Sequence, residues 1–535
     1  MPILNWIGKQ DVIDHERKIP FRLLENGARK LTSSENLLLE GDNLEALKAL
    51  LPYYQNKIKC VYIDPPYNTG NEDWVYNDNV DSPKMRKWLG EHVKEDDLTR
   101  HDKWLCMMYP RLKLLKELMR SDGIIFVSID DNESSNLRAI MDEIFDKQNF
   151  VAQLPTIMNL KGNNDEFGFA GTHEYVLVYA KNKETATIGE FKIDDEEIDE
   201  WEEDEWGFFK KGANLKSTGI NAPREKRPNL FFPLYVSKKN TVSTERKSKN
   251  DVEIFPITDG KEMSWRWQKS KIQNEPHNII VVQNKNSVSI YKKQRPSLGD
   301  LPSKKPKSLF YKPEYSSGNG TELLKRIFGT KVFQNPKPLE LIKDLISIIC
   351  DKDDIVLDSF AGSGTTGHAV LKLNEEDDGN RKFILIEMDS KICKSITSQR
   401  LKKVISGYSY NSTKIPGLKG NFENLKLGKP LFDSDGKIEK STSFVDLASY
   451  IFFTETKTLL DEKLIIKNFI GSKNDIDYFL LFSTASESVL NKKTLSEFDK
   501  TRSKVIYADK CLISNDVLEK YNIVFKQIPY EVRLF

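Results

Sequence analysis

No stretch of this 535-residue chain stays apolar for the roughly 20 residues that a membrane span requires. The first residues, MPILNWIGKQDVIDHERK, lack a basic segment followed by an apolar core, so no secretory signal is expected. Cysteine is scarce. The five residues Cys60, Cys106, Cys350, Cys393 and Cys511 are odd in number, far apart and without a C-x-x-C pair. That pattern argues against a disulfide framework or a zinc site and fits reduced thiols in a cytoplasmic protein. Six scattered histidines include no H-x-x-x-H pair, so no metal site is expected. Internal repeats are lacking too.

Charge and length are present in quantity. Charged residues make up 30% and hydrophobic residues 39% of the chain, a globular composition long enough for two to four domains. The formal net charge of +1 conceals an asymmetry. Asp194 to Glu205 (DDEEIDEWEEDE) holds ten acids and no base, and reads as a solvated hinge. From Trp206 to Lys307, 22 Lys+Arg face 8 Asp+Glu, a surplus of 14. A neutral chain with a block this basic is compatible with nucleic-acid binding.

The residues Lys59 to Asn71, KCVYIDPPYNTGN, organise the rest. Cys60 to Ile63 is an apolar, β-branched and aromatic run of the kind that forms a buried strand. It stops at Asp64-Pro65-Pro66-Tyr67, where two prolines fix φ and remove two backbone donors. The predicted result is a stiff corner at a strand end, with a carboxylate, free carbonyls and a ring. The carboxylate and a proline carbonyl accept hydrogen bonds from an amino group, and the ring offers a face to a planar base.

Around this corner the pattern is α/β. A lead-in packed by Trp6, Ile7, Phe21 and Leu24 precedes a strand at Asn36 to Glu40. Gly41-Asp42-Asn43 then caps a helix from Leu44 to Tyr54, completing a βαβ unit with the strand before Asp64. Asn68 to Thr99, with Trp74, Tyr76 and Trp88, reads as a loop or lid near the corner. A helix over Asp102 to Met119, a strand over Ile124 to Ile129 ending at Asp130-Asp131-Asn132-Glu133, and a helix over Leu137 to Phe145 follow. Glu174 to Ala180 reads as another buried strand. Asp130 and Asp131 look like a metal or acid/base pair, and equally like a strand-end turn with a helix cap. From the acidic run to Gly329 no 3.6-residue period is sustained, so an irregular, largely β module is expected. The α/β pattern resumes after Asn335-Pro336-Lys337-Pro338. It gives a helix over Leu339 to Cys350, a strand over Asp354 to Leu357, a glycine-rich turn, a helix over His368 to Leu373, a strand over Phe383 to Ile386 and a long helix over Lys391 to Ser406. The tail ends in short β-rich runs, among them Ser503 to Ala508 and Ile523 to Ile528.

The turn Asp358 to Thr366 (DSFAGSGTT) admits three readings. A P-loop needs Gly-Lys-Ser/Thr, and Gly364 is followed by Thr365-Thr366. A dinucleotide site needs G-x-G-x-x-G, which GSGTTG formally meets, but hydride transfer has no use for the Asp64 corner. The third is the S-adenosylmethionine loop of Rossmann-like methyltransferases, where F-x-G-x-G follows a strand. Glu387, 23 residues beyond Gly364 at the next strand end, stands about where an acid meets ribose hydroxyls.

In the order EGDNLEAL, VYIDPPYNTGN, SIDDNE, HEYVLVYAKN, KRPNLFFP, WRWQKSKI, NPKPLELI, VLDSFAGSGTTGHAV and FKQIPYE, the chain resembles the β class of amino-methylating DNA methyltransferases. More narrowly, it resembles the modification (Mod) subunits of type III restriction-modification systems. The resemblance implies a circularly permuted Rossmann-like α/β domain, with the catalytic motif ahead of the cofactor motif. It further implies an inserted target-recognition domain and a C-terminal α+β interaction domain. The expected boundaries are 1–185 and 330–410 for the two parts of the methyltransferase domain, 186–329 for the insert and 411–535 for the C-terminal domain.

Residue by residue, the resemblance implies that Asp64 and the Pro65 carbonyl hold the adenine amino group. Pro66 completes the corner, and Tyr67 stacks on the flipped base. S-adenosylmethionine is implied at Asp358, Phe360, Gly362, Gly364 and Thr365, with Glu387 on its ribose. Asp42 is implied at its adenine, or as a plain helix cap, and Lys337 at its methionine end. Arg227, Trp265, Arg266, Trp267 and Lys269 are expected to contact DNA, the alternative being that both tryptophans form the insert's small core. Cytosine-N4 methylation is the nearest alternative, and its motif usually begins with Ser. A non-catalytic sequence-reading subunit is the alternative from another class. Double-stranded DNA, a second copy of the chain and a helicase-nuclease (Res) subunit are the implied partners.

Overall fold

The computed structural model describes residues 4–24, 36–69, 97–162, 168–192, 201–284, 287–295, 303–432, 437–458, 460–483 and 486–528. They divide into two units, residues 1–189 with 307–535, and residues 190–306.

The first unit is built on a nine-stranded sheet. Its strands in chain order are β1 (Arg22–Leu24), β2 (Asn36–Glu40), β3 (Ile58–Ile63), β4 (Met119–Ile129), β5 (Phe150–Ile157), β6 (His173–Ala180), β7 (Ile355–Asp358), β8 (Lys382–Glu387) and β9 (Phe422–Pro430). Their spatial order is β1-β9-β2-β8-β7-β3-β4-β6-β5. The six strands from β9 to β4 are parallel; β1 and β6 run antiparallel to them at the two ends, and β5 pairs antiparallel with β6. All six side chains of β3 are buried, as its apolar run requires of a central strand with both faces covered.

β3 and β7 are sheet neighbours, with Cys60 opposite Val356 and Val61 opposite Leu357. After β3 the chain passes through the helix Asp97–Leu118 to β4 on one side. After β7 it passes through the helix Thr365–Asp377 to β8 on the other. The strand order therefore reverses between β3 and β7, and a crevice opens at their carboxyl ends. The half that carries the glycine turn comes second in the chain, as the permuted arrangement requires.

Several expectations need correcting. Residues 307–329 belong to the first unit: Phe310 bridges to Thr156, and Tyr315 donates to Asp344 at 2.6 Å. Within them lies a helix, Ser317–Phe328, closed by Gly329 at φ +82°. Its two glycines hid the helical period. Gly320 serves packing, since a Cβ there would collide with the Pro336 carbonyl. The tail boundary also shifts, because β9 joins the main sheet beside β2. The long helix expected over Lys391 to Ser406 is interrupted by a π-helical turn, Cys393–Thr397. In the lead-in, Trp6 and Phe21 are buried whereas Ile7 is 56% exposed. Trp74, Tyr76 and Trp88 lie outside the described residues, and Asp97 to Thr99 already belong to a helix rather than a loop.

The residues after β9 form an α+β layer. Its sheet orders Phe469–Lys473, Ile476–Leu480, Ser503–Ala508 and Ile523–Gln527, the last three parallel. The helix Phe444–Thr456 packs its Leu447, Ile451 and Phe452 into the same core as Leu480 and Tyr507.

The second unit is largely β, as expected. Ile279–Asn284, Ser287–Gln294, Gly207–Asn214 and Glu202–Asp204 make an antiparallel sheet. The acidic run is not simply a solvated hinge. Glu202–Asp204 is a strand, and Asp204 takes Lys293 and both terminal nitrogens of Arg295. No described helix is long and apolar enough to cross a membrane.

Candidate active site

β3 delivers Asp64 to the crevice, and the two prolines end the strand so that Tyr67 lines it as well. Asn68 closes the corner at φ +56°, and its buried amide donates to Glu133 and, at 3.4 Å, to the Arg100 carbonyl. Glu133 is fully buried and also engages His101 Nδ1 at 2.6 Å. Trp104, on the helix after β3, is buried and donates from Nε1 to the Pro66 carbonyl at 2.7 Å.

Lys337 enters from the Asn335-Pro336-Lys337-Pro338 turn. Its ammonium donates to the Tyr67 hydroxyl at 2.6 Å and to both Glu174 oxygens at 2.8 Å. It also lies 3.3 Å from Asp64 Oδ1, an ion pair without hydrogen-bond geometry. The Tyr67 hydroxyl donates to Glu174 Oε2 at 3.2 Å. Burial opposes the charge on Lys337, but Asp64 and Glu174 outweigh it and raise its pKa. Burial, with the Asp64 and Glu174 charges, holds the Tyr67 phenol far above its ordinary range, so Tyr67 stays neutral. Glu174 had no assigned role in the sequence reading. Its one signal was an acid opening an otherwise apolar strand.

Across the crevice, β7 ends at Asp358. This carboxylate accepts from Phe360 N at 2.9 Å and Thr366 Oγ1 at 2.6 Å, shaping the turn from beneath. Burial pushes its pKa up to about 7, with the charges of Asp64 and Glu387 adding to the effect. Gly362 and Gly364 stand at φ +48° and +78°, in the left-handed region. A Cβ would meet Phe333 at 3.2 Å in the first case and Thr397 at 3.1 Å in the second. The π-helical turn puts Thr397 there, where its hydroxyl donates to the Gly362 carbonyl at 2.6 Å. Phe360 is buried against the main core.

Thr365 Oγ1 accepts from Arg400 at 2.8 Å. Arg400 is 1% exposed and also donates to Ser363 Oγ at 3.1 Å. Burial lowers its pKa to about 9 and holds neighbouring His368 far below its ordinary value.

Two adjoining cavities share this corner. One, of about 860 Å³, runs from Asp64 and Tyr67 past Phe333 to Asp358, Gly362 and Ile392. The other, of about 500 Å³, runs from the same Asp64, Tyr67 and Lys337 to Asp130, Thr172 and Glu174. Asp64 thus faces two spaces at once, one bounded by the glycine turn.

The other expected residues are placed as follows. Asp42 caps the helix Asn43–Tyr54 through Oδ1, with Leu44 N at 2.9 Å and Glu45 N at 3.1 Å; Oδ2 lies 3.5 Å from Arg111. Glu387 is fully buried and accepts from Gly362 N at 2.8 Å and Asp389 N at 2.9 Å, so it braces the glycine turn. Lys337 sits at the Asp64 corner, within the lining of both cavities. Asp130 accepts from Asn132 in a local turn. Among the described residues no group of three or more His, Cys, Asp or Glu is placed to hold a metal ion.

In the second unit Trp265 is 1% exposed, and its Nε1 donates to the Phe232 carbonyl at 2.8 Å. It forms a core with Leu215, Leu234, Val236 and Ile272, which corrects its expected place at a DNA surface. Trp267 packs at the edge of that core under Lys271. Arg227, Arg266 and Lys269 are exposed, and Arg266 is held by the Asn214 carbonyl at 2.9 Å.

Comparison with known proteins fits this geometry. A family model described as DNA methylase matches residues 58–398. The Mod subunit of the type III restriction-modification enzyme EcoPI, from Escherichia phage P1, is 46% identical over 420 residues, covering 73% of this chain and 64% of that protein. The type II methyltransferase M.KpnI of Klebsiella pneumoniae is 31% identical over 396 residues, covering 73% of this chain and 90% of that protein. The EcoP15I Mod subunit of Escherichia coli is 33% identical over 440 residues, covering 72% of this chain and 64% of that protein. The chain thus spans a little under two thirds of these Mod subunits. With the match running from the strand before Asp64 through both halves of the crevice, the chain belongs to the DNA methylase family.

Proposed function

We propose that the chain is an adenine-specific DNA methyltransferase that uses S-adenosylmethionine, and the modification subunit of a type III restriction-modification system. The observation that carries this reading is the position of Asp64, between a cavity bounded by the glycine turn and a second cavity beyond Tyr67.

The larger cavity fits the cofactor in chemical character. The left-handed Gly362 presents bare backbone to its wall, and a buried carboxylate, Asp358, lines it, held by the Phe360 amide and the Thr366 hydroxyl. Phe360, Gly362, Asp358 and Thr365, which line it, would hold it, with Gly364 shaping the turn and Glu387 bracing it; Asp42, outside this lining, serves as a helix cap. When bound, S-adenosylmethionine supplies an electrophilic methyl group whose sulfur keeps the S–C electron pair.

The chain's own residues handle the base. Asp64 accepts a hydrogen bond from the exocyclic amino group and draws its lone pair out of the ring. The Pro65 carbonyl is the second acceptor, because Trp104 occupies that of Pro66. Tyr67, kept neutral by burial, presents its ring to the flipped base. The attack needs no enzyme nucleophile, and Cys60 is buried inside β3.

The second unit is proposed as the target-recognition module, on its basic stretch after the acidic run and the exposed Arg227, Arg266 and Lys269. Double-stranded DNA as substrate, a homodimer, a helicase-nuclease partner and a cytoplasmic location belong to the same proposal, which the likeness to type III Mod subunits supports. The test is transfer of labelled methyl groups to unmodified DNA, followed by mass analysis of the nucleosides. N6-methyladenine is expected from the wild type, and Asp64→Ala should lower the rate about a hundredfold or more while cofactor affinity stays within a few-fold. N4-methylcytosine, or undiminished turnover by the variant, would overturn the reading.

A further inference from the structure

The corner holds a second carboxylate to which the reaction above gives no task. Glu174 stands near the start of β6, with its side chain 12% exposed and both oxygens 2.8 Å from Lys337 Nζ. The same ammonium reaches the Tyr67 hydroxyl and lies 3.3 Å from Asp64. Two negative charges and one positive charge therefore meet at one corner, where Glu174 and Lys337 are largely buried and Asp64 faces the cavities. Burial raises the Glu174 pKa, and the ammonium of Lys337 opposes that rise.

The charge count matters for the chemistry. Asp64 and Lys337 alone would form a neutral pair, and a neutral pair is a poor partner for an amino nitrogen turning cationic. With Glu174 engaged by Lys337, the three groups carry one net negative charge, with Asp64 on the side of the base. The nitrogen that forms the new N–C bond bears positive charge until it releases a proton, which the Asp64 carboxylate is placed to take. Fixed charge aimed at charge that develops during reaction is where electrostatic stabilisation is largest.

We propose that Glu174 is a positioning residue that sets the charge of the transfer site. By holding Lys337 and the Tyr67 hydroxyl, it leaves Asp64 with a net negative field toward the amino group. This inference rests on the amino-methyltransferase reading, because Glu174 acts through Lys337 on the charge that Asp64 presents to the amino group.

The experiment is a double-mutant cycle in the full-length chain. Glu174→Gln keeps the shape, and Lys337 remains paired with Asp64, so thermal melting should stay close to wild type. Its kcat is expected to fall about tenfold or more, while S-adenosylmethionine affinity by calorimetry stays within about twofold. Adding Lys337→Met restores the single negative charge, and the double variant should turn over several-fold faster than Glu174→Gln. Wild-type turnover by Glu174→Gln, or a double variant no faster than it, would overturn the inference. So would a loss confined to cofactor affinity. A wild-type chain that transfers no methyl group would instead overturn the reading beneath it, and the inference with it.

Discussion

The indole of Trp104 donates to the Pro66 carbonyl at 2.7 Å, from a helix that begins 31 residues beyond that proline. The bond ties the proline corner to the main core, since Trp104 is wholly buried there. It also settles which proline carbonyl is spoken for inside the protein.

Trp104→Phe should therefore loosen the corner without emptying the core. Leaving a buried carbonyl unpaired costs about 1–3 kcal/mol, and a modest fall in melting temperature is expected. Turnover should drop about tenfold or more, because a small displacement of Asp64 spoils the alignment of amino group and methyl group. Cofactor affinity should hold, as the glycine turn lies on β7. Equal kcat in mutant and wild type would show that the Pro66 contact is a packing detail.

Asp358 makes both cofactor binding and stability depend on pH. Its folded pKa is raised from 3.8 to about 7, so the empty site prefers the neutral acid at mildly acidic pH. A cationic ligand group favours the carboxylate instead. Cofactor affinity should rise with pH up to about 7 and then level off, with a proton released on binding. The same shift makes a stability contribution that is fully present below the unfolded pKa and lost as pH rises through about 7, of the order of a few kcal/mol. Asp358→Asn should bind more weakly with a flat pH profile, and should gain stability relative to wild type between pH 4 and 7. Calorimetry in buffers of different ionisation enthalpy reads the proton directly. Binding without proton release near pH 6.5 would contradict the placement of Asp358 beside the ligand's cation.

The corner and the sheet around it were legible because their signals are local. A continuous apolar run ending in two prolines can hardly be anything but a strand and its exit, and the same holds for the strand before Asp358. What stayed hidden depends on distant pairing. Glu174 and Lys337 are 163 residues apart, and no spacing rule brings them together. β5 contains Pro155 and lies at a sheet edge, so neither alternation nor an apolar run marks it. β9 has a single buried residue, Leu425, and reads as linker until it pairs with β2. In Trp265-Arg266-Trp267, alternation alone cannot say which face turns inward, and the basic neighbours drew the reading toward the surface.

The second unit offers the sharpest separation of packing from contact. Trp265→Ala should empty the centre of its small core and destabilise that unit by about 3–5 kcal/mol, seen as early proteolysis between residues 190 and 306. Arg227→Ala, Arg266→Ala and Lys269→Ala should leave its melting unchanged, because all three side chains are exposed. Each contacting base should instead lower the slope of log affinity against log salt by about one unit, since one fewer counterion is released. The structure also redraws the segment to exchange in a chimera. Residues 190–306 form the unit, whereas Ser317–Phe328 packs beneath the turn that carries Lys337 and should stay with the crevice. Transplanting residues 190–306 from a relative with another target is expected to move the methylated sequence, read by modification-sensitive sequencing of genomic DNA. A chimera that is folded, active and faithful to the original target would put sequence choice in the first unit, and the positive surplus would then serve DNA affinity alone.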